Sequence, residues 1–221
     1  MLISEENIEK IWIYLELELI KKGIVLSLLV NFNEFKERII NVKKINNSKI
    51  KREDMPIISY KSTDDLKEYI ENITIDKLKI IQKIIEEENI LDISFKNFIE
   101  NNLPFKYYEK LSKKTKKDKI KANVLKIKAI NLIPTQKELY ISKIIKNIEK
   151  YGIPSKNNFI TKRTLVVSKN NKILDGHHRW LSCMIINPNL ELEVLKIDLT
   201  FEELYPLLLS YVKLPLSEEN K

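Results

Sequence analysis

Both histidines of the chain stand side by side in one pentapeptide, Asp175-Gly176-His177-His178-Arg179. These residue types could hold a phosphate and manage protons around it. Imidazoles titrate near neutrality and can share or orient protons, and the Asp175 carboxylate can do the same. Arg179 offers a planar fork of N–H donors that matches two oxygens of an anion. Gly176, with no side chain, lets the backbone approach such a group closely. The residue types alone also allow a plainer reading, with Asp175 as a helix N-cap and the histidines packed locally.

The flanking residues say how these groups are held. A short apolar run, Lys172-Ile173-Leu174, precedes them, and Trp180, Leu181, Cys183, Met184 and Ile185 follow at helical spacing. A strand that feeds into a helix leaves unpaired N–H groups and the positive end of the helix dipole at the junction, which attracts an anion. Thr164 to Ser168 predicts a strand, Lys169-Asn170-Asn171 a turn, and Lys172 to Leu174 the returning strand. A helix is expected from about Lys137 to Tyr151, stopped by Gly152.

The stretch Val-Val-Ser-Lys-Asn-Asn-Lys-Ile-Leu-Asp-Gly-His-His-Arg-Trp ending at Trp180 resembles the nucleotide-binding core of the ParB/sulfiredoxin superfamily. Val124-Leu125-Lys126-Ile127-Lys128-Ala129-Ile130-Asn131-Leu132-Ile133-Pro134-Thr135-Gln136 resembles that family's opening strand and its Ile-x-Pro loop. The resemblance covers residues 121–200. The closing motif separates the branches. Partitioning ParB proteins carry Gly-Glu-Arg-Arg, bind CTP and place DNA-binding helices after the core. Sulfiredoxins carry Gly-Cys-His-Arg with a redox cysteine, where His177 stands here. The single cysteine, Cys183, lies further along the helix and is expected in the core. The Asp-Gly-His-His-Arg motif is similar to that of archaeal-type free serine kinases, which transfer phosphate from ADP. That likeness implies a nucleotide, ATP or ADP, with or without Mg²⁺. It also implies a ligand site of Thr135, Gln136, Gly176, His177, His178 and Arg179. In those kinases a carboxylate in the loop after the first strand acts as base on the substrate hydroxyl. Gln136 at that position cannot abstract a proton, whereas Glu138 or Asp175 could, with His177 on the phosphates. A glutamate in the first turn of a helix also needs no catalytic explanation.

Composition bounds the remaining classes. Charged residues make up 32% and hydrophobic ones 43% of 221, and 3 Gly with 7 Pro exclude long low-complexity linkers. No apolar run reaches the ~18–20 residues that cross a bilayer. Met1-Leu2-Ile3-Ser4-Glu5-Glu6 lacks the basic region of a signal peptide, and one cysteine fits a reducing interior, so a cytoplasmic protein without a membrane partner is expected. Adjacent histidines on a helix diverge by about 100°, which disfavours a shared metal ion. Ten lysines from Lys106 to Lys128 stand against Glu109 and Asp118 alone, equal to the whole formal excess of +8. With Phe105, Tyr107 and Tyr108 at its start, this run could track a nucleic-acid backbone without sequence preference; a solvated helix and linker explain it as well.

Residues 1–120 read as helical. Ser4 is a plausible cap for a first helix with Ile8, Ile11, Trp12, Leu15 and Leu19 on one face and Gly23 as its stop. That helix is apolar nearly all round, so it is either central to a bundle or covered by another subunit in a homo-oligomer. Further helices are expected over Leu26–Lys44, from Asp64 with Thr63 as its cap, over Thr74–Glu88, through Ile99 with Asp92 as its cap, and with Pro104 in the first turn of one more. The expected fold is α+β: a helical N-terminal region (1–120, with the basic segment 106–128 at its end), a small mixed-sheet ParB/sulfiredoxin-like domain (121–211) and a tail (212–221). The function expected is nucleotide or phosphate binding at 175–179, with phosphoryl transfer as its enzymatic form. The alternative is a non-catalytic nucleic-acid-associated or structural module, cellular or viral.

Overall fold

Isoleucine spacing sets the helices that carry the site. In the computed structural model, which describes residues 7–46, 48, 50–58, 63–73 and 120–213, α1 is Ile8–Ile20 and α2 is Phe32–Ile45. Then come α3 (Thr63–Glu71), β1 (Ala122–Lys128), α4 (Ile141–Tyr151) and α5 (Phe159–Lys162). β2 (Leu165–Ser168), β3 (Ile173–Asp175), α6 (His177–Ile186), β4 (Glu191–Ile197) and α7 (Phe201–Lys213) complete the order. The expected α+β class with a helical N-terminal region is what the chain adopts. The expected helices over 74–88, from Asp92 and after Pro104, the cap at Ser4 and the lysines from 106 to 119 lie outside the described residues.

The sheet runs β1-β4-β2-β3, with β1 and β3 antiparallel to their neighbours and β2 parallel to β4. Alternation along the strands divides the core between its two faces. Leu165, Val167, Ile173, Leu192 and Val194 pack with α1, α2, α4 and α6. Val166, Leu174, Leu195 and Ile197 pack with α3, α7 and Ile50, Met55 and Ile58. The N-terminal helices thus share both cores with the sheet. Lys126 and Lys128 on the edge strand stand opposite Glu193 and Glu191, which offsets part of the basic run.

Three expected boundaries move. The run Leu26–Lys44 is broken at Asn31, whose side chain accepts the Glu34 N–H at 2.9 Å and caps a new helix after a short 3₁₀ turn at Leu26–Leu28. The helix expected from Lys137 starts only at Ile141, because main-chain groups of 137–140 are bound elsewhere. Lys137 N–H donates to the Ile50 carbonyl at 2.7 Å and Tyr140 N–H to His178 Nε2 at 3.2 Å. Thr63, expected as a cap, is itself the first residue of α3. The outward side of α1 is open, with Ile13, Leu17 and Ile20 about half exposed at 49%, 55% and 51%, so this helix is not central to the fold. No helix among the described residues is long and apolar enough to cross a membrane.

Candidate functional site

Helix α6 is buried along nearly its whole length, and the N-terminal region grips both its ends. At the C-terminus, Arg38 of α2 donates from Nη1 to the Ile185 and Ile186 carbonyls at 2.6 and 2.8 Å, satisfying acceptors that the helix leaves open. At the N-terminus, the segment after α2 is laced to the Pro134–Tyr140 loop. Asn46 Nδ2 donates to the Gln136 carbonyl at 3.0 Å, Ser48 Oγ donates to the Thr135 carbonyl, and Arg52 N–H donates to Glu138 Oε2 at 2.8 Å. Trp180, fully buried, donates from Nε1 to the Ala129 carbonyl at 2.8 Å and ties the middle of α6 to the end of β1.

The junction begins at Gly176, the N-cap residue, at φ +100° and ψ 14°. A Cβ there would lie 2.5 Å from Leu165 Cγ and 2.9 Å from Arg179 Nη2. The space that glycine opens is therefore filled by the chain's own side chains, which sequence reasoning had reserved for an anion. Arg179 is likewise engaged inside the fold. Its Nη1 donates to the Arg163 carbonyl, its Nη2 to the Thr164 carbonyl at 3.3 Å, and Asp175 Oδ2 lies 3.8 Å from Nη2. Burial pushes the Asp175 carboxyl up, opposed by Arg179, the Gly176 N–H and Arg163. Together Asp175 and Arg179 brace the α5–β2 connection against the turn.

The histidines act as acceptors for main-chain N–H groups. His177 Nε2 takes the Thr135 N–H at 3.1 Å, and the Thr135 hydroxyl, 3.2 Å from the same nitrogen, donates to the Ile173 carbonyl. His178 Nε2 takes the Tyr140 N–H at 3.2 Å, with the two rings stacked at 6.2 Å. An accepting Nε2 puts the proton of a neutral ring on Nδ1. Burial pushes His177 down to about 3, helped by repulsion from His178 and opposed by a hydrogen bond to Ile173. Burial also pushes His178 down to about 4, aided by the charges of Arg52 and Lys143. Both rings are neutral at physiological pH.

Comparison with known protein families, curated proteins and solved structures finds no match to this chain. The site therefore stands on its own geometry.

Of the residues expected from sequence, Thr135, His177 and His178 come together directly, and Asp175, Gly176 and Arg179 form the adjoining brace. Gln136 is buried, with its Nε2 donating to the Glu138 carbonyl, and Glu138 holds the start of the Arg52–Asp54 turn rather than the first turn of a helix. The Cys183 thiol is buried and pushed up to about 12, mainly by that burial, which suits a core residue and not a nucleophile. Sequence reasoning missed Arg38, Arg52, Tyr140 and Lys143. A signal for Arg38 was present: the chain has four arginines against thirty-five lysines. Arg38 holds the end of α6 and Arg179 braces the turn through their guanidinium groups, whereas Arg52 and Arg163 take part through main-chain atoms. Where lysine is the default cation, the guanidinium groups of Arg38 and Arg179 stand where main-chain carbonyls need a planar fork of donors.

Proposed function

We propose that this protein binds a nucleotide or another phosphate-bearing ligand at the junction of β3 and α6, in the manner its ParB/sulfiredoxin-like motif implies. One observation carries the reading. The N-termini of α4 and α6, neither capped by a side chain, meet at the contact of Tyr140 with His178. Two positive dipole ends at one place attract an anion. Binding is favoured over phosphoryl transfer. A general base must reach the acceptor hydroxyl within about 2.6–3.2 Å, directly or through one water. Glu138 is committed to the Arg52 N–H, and Asp175 sits at Arg179. The test is a thermal-shift series with ATP, ADP and pyrophosphate, each with and without Mg²⁺. Ligand at 100 times its Kd adds about 2.7 kcal/mol of stability and raises Tm. Unchanged Tm with every ligand at millimolar concentration argues against the proposal.

A further inference from the structure

Helix α1 carries more apolar surface than the fold covers. Ile11, Leu15 and Leu19 pack inward, whereas Ile13, Leu17 and Ile20 stand about half exposed on the other side. A helix apolar nearly all round belongs at the centre of a bundle or against a second subunit. The fold leaves α1 outside the centre.

The exposed residues keep the spacing of a coiled-coil seam. Ile13, Leu17 and Ile20 follow one another by four and three positions, and Lys10 extends the seam three positions earlier. Successive residues on a helix turn by about 100°, so Glu9 and Glu16 flank the seam on one side, and Tyr14 and Lys21 on the other. Lys21, the C-cap residue, keeps helical backbone angles. Among the described residues Glu9 and Glu16 form no ion pair, and Lys21 pairs with Glu18 of its own helix at an exposed position. An exposed pair of that kind contributes little, so Lys21 exchanges or shares its partner at small cost.

A seam with one acidic and one basic flank complements itself in a single orientation. A two-fold axis running along the helices sets the acidic flank of one copy against the basic flank of the other. Head to tail, like flanks meet, and glutamate faces glutamate. We infer that the protein forms a homodimer through the outward face of α1, with the two helices parallel. Ile13, Leu17 and Ile20 pack against their counterparts, and Glu16 of each copy faces Lys21 of the other. The Lys10 side chains meet at the N-terminal end of the seam, beside the Glu9 carboxylates. A polar residue there costs stability and holds two strands in register. This inference does not depend on the phosphate site.

Sedimentation velocity of the full chain over about 1–200 µM tests the association. Wild type should pass from monomer to dimer across that range. Leu17→Gln alters a side chain that the monomer leaves exposed, so the far-UV circular dichroism spectrum should stay unchanged. Dimerisation should weaken about tenfold or more, because each copy loses a leucine from the interface. Glu16→Lys and Lys21→Glu should each weaken it, and the double reversal should restore it. Cross-linking reads the orientation. The native thiol, Cys183, is buried, so Ile20→Cys places one accessible thiol on the seam. Oxidation should join two Ile20→Cys chains, since parallel helices bring position 20 against itself. Monomer at every concentration, or a dimer that Leu17→Gln leaves unchanged, overturns the inference. Cross-links that form only between Ile13→Cys and Ile20→Cys chains overturn the parallel arrangement.

Discussion

Acidification should unlatch the loop that the two histidines hold. Each imidazole accepts a main-chain N–H through Nε2, and a protonated ring has no lone pair to offer. The ordinary histidine value of 6.5 falls to about 3 for His177 and about 4 for His178 in the fold. The unfolded chain therefore binds more protons than the folded one as pH falls below 6.5. The stability contributed by neutral histidines is complete above that value and is lost progressively down to 3–4. Between pH 7 and pH 5 the loss is about 2 kcal/mol per histidine, about 4 kcal/mol together. Asp175 works in the opposite sense. Its folded value is raised, so its charged form costs stability at neutral pH and that cost is relieved on acidification. Urea unfolding at pH 7, 6 and 5 measures the slope. Replacing His177 with Gln, which offers a carbonyl acceptor that does not titrate, should remove about half of it. A stability that stays flat from pH 7 to 5 in wild type would refute the assignment of both rings as neutral acceptors.

Two further perturbations probe the frame. Gly176→Ala places a methyl 2.5 Å from Leu165 Cγ at a φ of +100°, and should cost on the order of 2–4 kcal/mol in denaturant unfolding. Adding Leu165→Ala should not restore that loss, because the backbone strain remains. Arg38→Met removes the donor to the last carbonyls of α6 and should cost about 1.5–3 kcal/mol by the same measurement, with amide exchange accelerated first at Ile185 and Ile186.

What could be read from the residues was local. The hairpin, the glycine turn and the helix after it follow from an apolar alternation, an Asn-rich turn and a 3.6-residue repeat over adjacent positions. Ile141, Ile144, Ile145 and Ile148 likewise announce the buried stripe of α4. Its starting point was not legible, since Lys137 and Tyr140 are removed from the helix by Ile50 and His178, partners 87 and 38 residues away in sequence. The same limit governs the site. The Asp-Gly-His-His-Arg string marks where the junction lies, yet the roles of its members depend on distant groups. Arg179 turns inward because carbonyls of the α5–β2 connection lie within its reach, and the histidines are latches because Thr135 and Tyr140 present their N–H groups to them.

The central claim is that a phosphate-bearing ligand binds where α4 and α6 begin. Amide chemical-shift mapping on ¹⁵N-labelled protein during an ADP titration tests it most directly. The account predicts that the largest shifts fall on Ser142, Lys143, His177, His178 and Arg179, and that they saturate together. Saturable shifts confined to other parts of the molecule, or none at millimolar ADP, would contradict it.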